Sequence, residues 1–357
     1  MAEKALSEAA AHDGLENERY KSEARLTSPR TNNLLPVFAE IALGNASRPD
    51  IADAVPDPAL LSEDLDTLSF AVYLANYTGI FHRHLHASVP FFAEEECRLG
   101  LAISRYATDH SKRKGRPTKF WSFGSAEAPM ARAAVRHAEG ALQAHCSSEN
   151  TENFGDLRAR PEKDISIEVG PFYDLTHETF GDMTGTSALD VSYDIIFEHT
   201  CFQMHHKERA APLRILKERL EGDGIFLIYE KLRDYDVDAY QAREQEKDRD
   251  FKARFFSERE VETKKSSILT YMEECQVYSE ELVAAIRPVA KHIVRVWQSG
   301  NFFGFVASNS EENLKDFIGR LTLPFVENKS YRAGLPQSLG EPLGQIPEFR
   351  DSRLSND

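Results

Sequence analysis

A change of apolar period along the chain constrains the fold most. From Asn33 to Tyr106 apolar residues recur at helical spacing, as in Leu34, Val37, Phe38 and Ile41, and roughly again in Leu68, Val72, Ala75 and Tyr77. Pro56 and Pro58 break this stretch into separate helices, because proline lacks the backbone donor a helix interior needs. From Lys119 onward, short apolar runs alternate with helical segments. The runs are Lys119–Phe123, Leu142–His145, Ile165–Val169, Tyr193–Phe197 and Ile225–Tyr229, with Met130–Glu139 and Ala210–Leu220 as helices between them. Such alternation predicts a mostly parallel sheet covered on both faces. His292–Trp297 and Phe302–Ala307 flank Gly300 and predict a terminal antiparallel pair.

These patterns divide the chain into four parts. Residues 1–30 are polar and read as disordered or a frayed helix. Residues 31–115 form a helical extension, a lid or a homodimer surface. Residues 116–325 are an α/β core with a charged helical insertion at 236–285, and 326–357 form an irregular tail. The net charge of −15 repels phosphate backbones, so nucleic acid is not an expected partner. The one basic run, Lys112–Lys119 (KRKGRPTK), reads as a hydrated linker before the first strand. Cys97, Cys146, Cys201 and Cys275 make no CxxC pair and suit a reducing compartment. The N-terminus lacks a hydrophobic signal region and no apolar run is long enough to cross a bilayer, so a cytoplasmic location without membrane partners is expected.

In an open α/β sheet a nucleotide-type ligand sits at the carboxyl ends of the strands, where strand order reverses. The first strand-to-helix turn must let the ligand approach the backbone. Here it is Phe123-Gly124-Ser125-Ala126-Glu127-Ala128-Pro129, one glycine among small residues. About twenty residues on, in Leu142–Asn150, His145 stands where a ribose-binding acid is usual. A neutral imidazole can hydrogen-bond a hydroxyl, and a lone histidine near a strand end can equally be an ordinary satisfied polar residue. Two histidine groups invite a metal reading. His82, His84 and His86 alternate, and on a helix they would fan around the axis, poor geometry for one ion. His199, His205 and His206 with Glu198 suit acid–base or binding roles better than a metal, so no metal is expected.

Asp194–Thr200 (DIIFEHT), Gln203–Arg209, Leu216–Gly224 (LKERLEGDG) and Ile225–Lys231 (IFLIYEK) resemble the fourth strand, next helix, turn and fifth strand of class I S-adenosylmethionine (SAM) methyltransferases. Asp250–Glu273, Trp297–Gly304 (WQSGNFFG) and Ala87–Phe91 (ASVPF) further resemble the carboxy-SAM synthase branch, which serves tRNA wobble-uridine modification. The resemblance spans roughly residues 85–308 and implies a Rossmann-like, seven-stranded sheet with a terminal antiparallel hairpin. It implies SAM as cofactor, held by Ser122, Phe123, Gly124, Ser125, His145, Ser147, Phe172 and Glu198. The chain departs from the family pattern at Ser122, Ala126, Ala128, His145, Glu198 and Lys265, where the family has an acid, two glycines, an acid, an asparagine and an arginine.

The resemblance implies methyl transfer to a small molecule. Related enzymes methylate 2-oxo acids at C3 in natural-product biosynthesis, 2-ketoarginine methyltransferase among them. That chemistry needs a base for the C3 proton, expected at His199 or His205. It needs a cation for the carboxylate, expected at Lys265, and acids for a guanidinium, expected at Glu198 or Glu178. A carboxy-SAM synthase-like enzyme and a non-catalytic SAM-fold binding protein are the alternatives.

Overall fold

One eight-stranded sheet organises the protein, and its strands fall where the apolar runs do. The computed structural model describes residues 2–27, 29–45, 49–174, 192–327 and 334–350. The strands are β1 (Thr118–Phe123), β2 (Leu142–Ser148), β3 (Ile165–Val169), β4 (Tyr193–His199), β5 (Leu220–Lys231), β6 (His292–Ser299), β7 (Phe302–Ser308) and β8 (Gln337–Ser338). Their order is β3-β2-β1-β4-β5-β7-β6-β8. β1 to β5 run parallel, while β7 is antiparallel to both β5 and β6. The first seven strands have the order and the antiparallel hairpin of the class I methyltransferase fold. β8 is an addition, drawn from the tail expected to be irregular, and it pairs with β6 through Val294 and Arg295.

Helices cover both faces, as buried parallel strands require. On one face lie α4 (Leu65–Tyr77), α6 (Phe92–Lys114) and α7 (Pro129–His137), whose Leu74, Leu99, Ile103 and Met130 share a core with Phe120, Ile195 and Leu227. On the other face helices Ala210–Lys217 and Ser279–Ile286 bury Leu213, Leu216, Leu282 and Ile286 against Trp121, Ile196 and Phe226. Residues Ala2–Thr27 form helix α1, and its Tyr20 and Ala24 join this second core, where the sequence reading favours a frayed segment. No helix among the described residues is long and apolar enough to cross a membrane.

Helix α6 anchors the N-terminal extension to the sheet. Its interior is apolar, and truncating a side chain such as Leu99, fully buried, to alanine costs about 2–5 kcal/mol. It ends at Gly115, whose φ of 68° is the left-handed conformation that caps a helix without steric cost. Lys112, Arg113 and Lys114 therefore form its last turn, where cations complement the helix dipole, and not a linker. Arg98, 1% exposed, holds Glu95 through two bonds of 2.7 and 2.9 Å and donates to the carbonyls of Thr322 (2.7 Å) and Val296 (3.0 Å).

The insertion after β5 is helical but interrupted. Helix Val237–Glu246 runs into a π-helical turn at Lys247–Phe251, and helix Glu258–Lys264 runs into another at Lys265–Leu269. Such turns, each adding a residue to the helical ring, recur at functional sites. Helix α2 (Pro29–Ala42) packs on the second turn, Leu34 and Ile41 against Ile268.

Candidate functional site

Strand order reverses between β1 and β4, which pair Phe123 with Glu198. The turn after β1 repeats a left-handed conformation at alternate residues: Gly124 (φ 69°), Ala126 (49°) and Ala128 (55°). The two alanines hold a backbone conformation that favours glycine, at about 1–2 kcal/mol each. Gly124 has no such freedom, since a Cβ there would stand 2.7 Å from Cys201 Cβ. The turn thus keeps the shape that lets a ligand meet backbone N–H groups. Glu149, one residue past β2, is the acid beside it, and Phe172, just after β3, lies 4.9 Å from the Phe123 ring. These residues suit a SAM-type nucleotide: backbone for the amino-acid end, Glu149 for ribose hydroxyls and flat apolar rings for adenine.

The other residues expected to hold the cofactor have different employment. His145 lies inside β2, opposite Trp121, and shares a 2.8 Å hydrogen bond with the Tyr193 hydroxyl; burial holds it neutral at about 3. Ser147 Oγ accepts the Trp121 indole N–H at 2.9 Å, and Ser125 Oγ donates to the Ser122 carbonyl at 3.4 Å. Ser122 is fully buried in β1. Glu198 accepts backbone N–H groups of Cys201, Phe202 (2.9 Å) and Tyr229 (3.1 Å), so it ties the loop after β4 in place. Burial, with Glu230 nearby, pushes its carboxyl well above the usual range.

A cavity of about 100 Å³ opens beside the turn, touching Gly124 and Thr200. Four lysines line it, Lys231, Lys247, Lys252 and Lys264, with no acidic residue among the lining. The rest is largely apolar, including Phe38, Phe81, Leu85, Met204, Ile268 and Phe302. All four lysines are buried, which is rare for lysine without partners. Behind the wall, Glu244 pairs with Lys231 (2.8 Å) and Lys247, and Asp248 pairs with Lys252 (2.8 Å). Lys264 Nζ contacts Ser88 Oγ and lies 3.5 Å from His84 Nδ1. Burial, then repulsion from Lys231, brings Lys247 down from 10.5 to about 7. Burial also disfavours the Lys231 ammonium, but Glu244 overcomes this and holds it above the ordinary value.

Lys265 is a correction to the sequence reading. Its side chain is 47% exposed, pairs with Asp248 at 3.0 Å and does not line the cavity; its neighbour Lys264 does. Consecutive helical residues are about 100° apart around the axis, so one faces inward and the next out. Glu178 lies outside the described residues.

The two expected bases are also placed elsewhere. His205 Nε2 is 3.1 Å from Cys201 Sγ and 3.2 Å from Glu149, and burial lowers it to about 3, too weak a base for a C3 proton. His199 Nε2 is 2.9 Å from Glu96 Oε1. The same carboxylate receives His82 Nε2 and His86 Nε2, both at 2.6 Å to Oε2. Helix α5 (Ile80–His86) presents His82 and His86 one turn apart on one face, so the histidines do not all fan outward as expected; only His84 points to the lysine cavity. The i, i+4 pair was visible in the sequence, as were three consecutive glutamates, Glu94 to Glu96, in an apolar helix.

No family model matches the sequence, and no curated protein matches it. Among solved structures the chain is similar to the plantazolicin methyltransferase BpumL in complex with SAH, at 10% identity and TM-score 0.42, over 68% of this chain and 96% of that one. It is similar to the pyocyanin biosynthetic protein PhzM at 16% identity and TM-score 0.35, over 68% and 62%. It is also similar to an O-methyltransferase family protein from Burkholderia thailandensis at 9% identity and TM-score 0.37, over 58% of each. Similarities this distant say nothing about which residues act.

Proposed function

We propose that the protein is a SAM-dependent methyltransferase whose acceptor is a small anion with an apolar body, a 2-oxo acid being the simplest fit. One observation carries this reading: Gly124, on the turn suited to the cofactor, and four buried lysines line the same cavity. SAM supplies an electrophilic methyl group when bound. The protein's part is to bind, orient and deprotonate the acceptor. Lys231 and Lys264 hold the carboxylate as point charges, which buried sites make strong. The apolar walls exclude water from the reacting carbon. Lys247, with a pKa of about 7, is half neutral amine near neutral pH and takes the C3 proton in place of the histidines. A guanidinium does not suit a cavity lined by lysines, which disfavours 2-ketoarginine as the acceptor.

The test is mass spectrometry of products after incubation with labelled SAM and a panel of 2-oxo acids bearing apolar or cationic side chains. Methylated products from the apolar members support the reading. Conversion of SAM and prephenate to carboxy-SAM replaces it with the synthase activity. Absence of SAM binding by calorimetry overturns it and leaves a binding protein on the same fold.

A further inference from the structure

We propose that His82, His86, His199 and Glu96 form a binding site for one divalent transition-metal ion, seated where the helical extension meets the core. Each residue comes from a fixed element: the two α5 histidines, Glu96 from the first turn and a half of α6, and His199 from the end of β4. All four are at most 2% exposed. His82, His86 and Glu96 bring their ligand atoms within 4.8 Å of one another; His199 Nε2 stands outside that group, 2.9 Å from the other carboxylate oxygen, Glu96 Oε1, and must swing inward to serve as the fourth ligand.

Charge is the second observation. A fully buried carboxylate is normally matched by a cation, because transferring it from water unpaired costs far more than a hydrogen bond returns. Glu95, next in the chain, follows this rule with Arg98. Glu96 has no lysine or arginine among its described ion pairs, only three imidazoles. If those rings are neutral donors through Nε2, the three Nδ1 atoms are left buried with no hydrogen-bond partner among the described residues. A metal bound at Nε2 leaves the same Nδ1 atoms in need of a partner, so they favour neither arrangement and the charge decides. A divalent ion supplies the missing charge.

Three imidazole nitrogens and a carboxylate oxygen suit Zn²⁺ or Fe²⁺, and exclude hard ions that prefer all-oxygen sites. Tetrahedral ligands about 2.05 Å from zinc stand about 3.3 Å apart. The present 2.6 Å contacts must therefore spread by about 0.7 Å to admit the ion, an adjustment within side-chain reach. His86 also lines a cavity of about 330 Å³, together with Pro90, Glu94 and Asn301. The site does not depend on the methyltransferase reading, and its readout needs no turnover.

The experiment is elemental analysis of the full-length purified protein, followed by removal of metal with a chelator and titration with Zn²⁺ and Co²⁺. The expected result is about one equivalent per chain, with visible absorption of four-coordinate Co²⁺. Glu96→Gln and His86→Asn should each weaken binding at least about tenfold. His12→Ala is the control, because His12, Asp13 and Glu16 form a second, exposed cluster on α1. Wild-type protein that neither carries nor takes up metal overturns the proposal. So does uptake that is unchanged in His86→Asn, or that is lost with His12→Ala. If Glu96→Gln does not fold, the wild-type titration and His86→Asn decide alone.

Discussion

Glu127 Oε1 accepts the backbone N–H of Phe81 at 2.8 Å, so the turn after β1 is bonded directly to the first turn of helix α5. Glu127 Oε2 takes the next N–H, that of His82, at 2.9 Å. These are two of the orphan donors every helix start exposes. The carboxylate is buried, and a Cβ on Gly79 would fall 2.5 Å from Oε1, so the fit leaves no space for another residue there. The residue between Ala126 and Ala128 thus serves the extension, while its neighbours shape the turn after β1.

Removing that link should loosen both partners. Glu127→Ala should cost about 1–3 kcal/mol, the usual loss when buried donors are left unmet. Burial raises Glu127 from 4.5 to about 7. A raised carboxyl contributes stability fully present below its unfolded value and lost as pH rises through about 7. Glu127→Gln, which keeps an acceptor but cannot ionise, should flatten that part of the melting-temperature profile. Parallel profiles of wild type and Glu127→Gln between these pH values would show that the group does not titrate there.

Adjacent lysines should behave differently. Lys264→Ala should raise KM for the anionic acceptor roughly tenfold to a hundredfold, the cost of about 1.5–3 kcal/mol for losing a charged partner. Lys265→Ala should change it little, since a half-exposed pair such as Lys265–Asp248 is worth about 0–1 kcal/mol. Steady-state kinetics on both variants checks the inward assignment of Lys264; equal effects refute it.

Lys247 should set a pH limb. With its pKa at about 7, the neutral amine grows as pH rises, so kcat should climb through about 7 and then level. Lys247→Met should abolish the limb with most of the rate. Stability should move the same way. The unfolded lysine, near 10.5, binds more protons than the folded one, so the folded state gains as pH rises from about 7 toward 10.5. A limb that survives in Lys247→Met assigns the proton to another group.

Gly124 should tolerate no side chain. Its φ of 69° and the Cys201 Cβ contact at 2.7 Å oppose any Cβ. Gly124→Val should abolish SAM binding and lower the melting temperature, and Gly124→Ala combined with Cys201→Gly should recover part of the stability. Calorimetry finding wild-type SAM affinity in Gly124→Val would remove the turn from the cofactor site.

The sheet was legible because buried strands, parallel or antiparallel, are written as short apolar runs, and each run from Lys119–Phe123 to Phe302–Ala307 became a strand. The site was less so. Lys264 and Lys265 are neighbours in a charged helix with few apolar residues, so no hydrophobic period says which of the two faces inward. His199 and Glu96 are 103 residues apart, and nothing local to either marks their meeting. His145 misled for the opposite reason, since it stood in the expected place by count but β2 runs on to Ser148.

The bonds of Arg98 to the Thr322 and Val296 carbonyls set an order of events during synthesis. Their acceptors lie 224 and 198 residues further along the chain. Until those residues leave the ribosome, the Arg98 guanidinium is bound to Glu95 alone, with two of its four bonds unmade. The extension is made first, yet this link between it and the core can close only after the chain beyond β7 has been made.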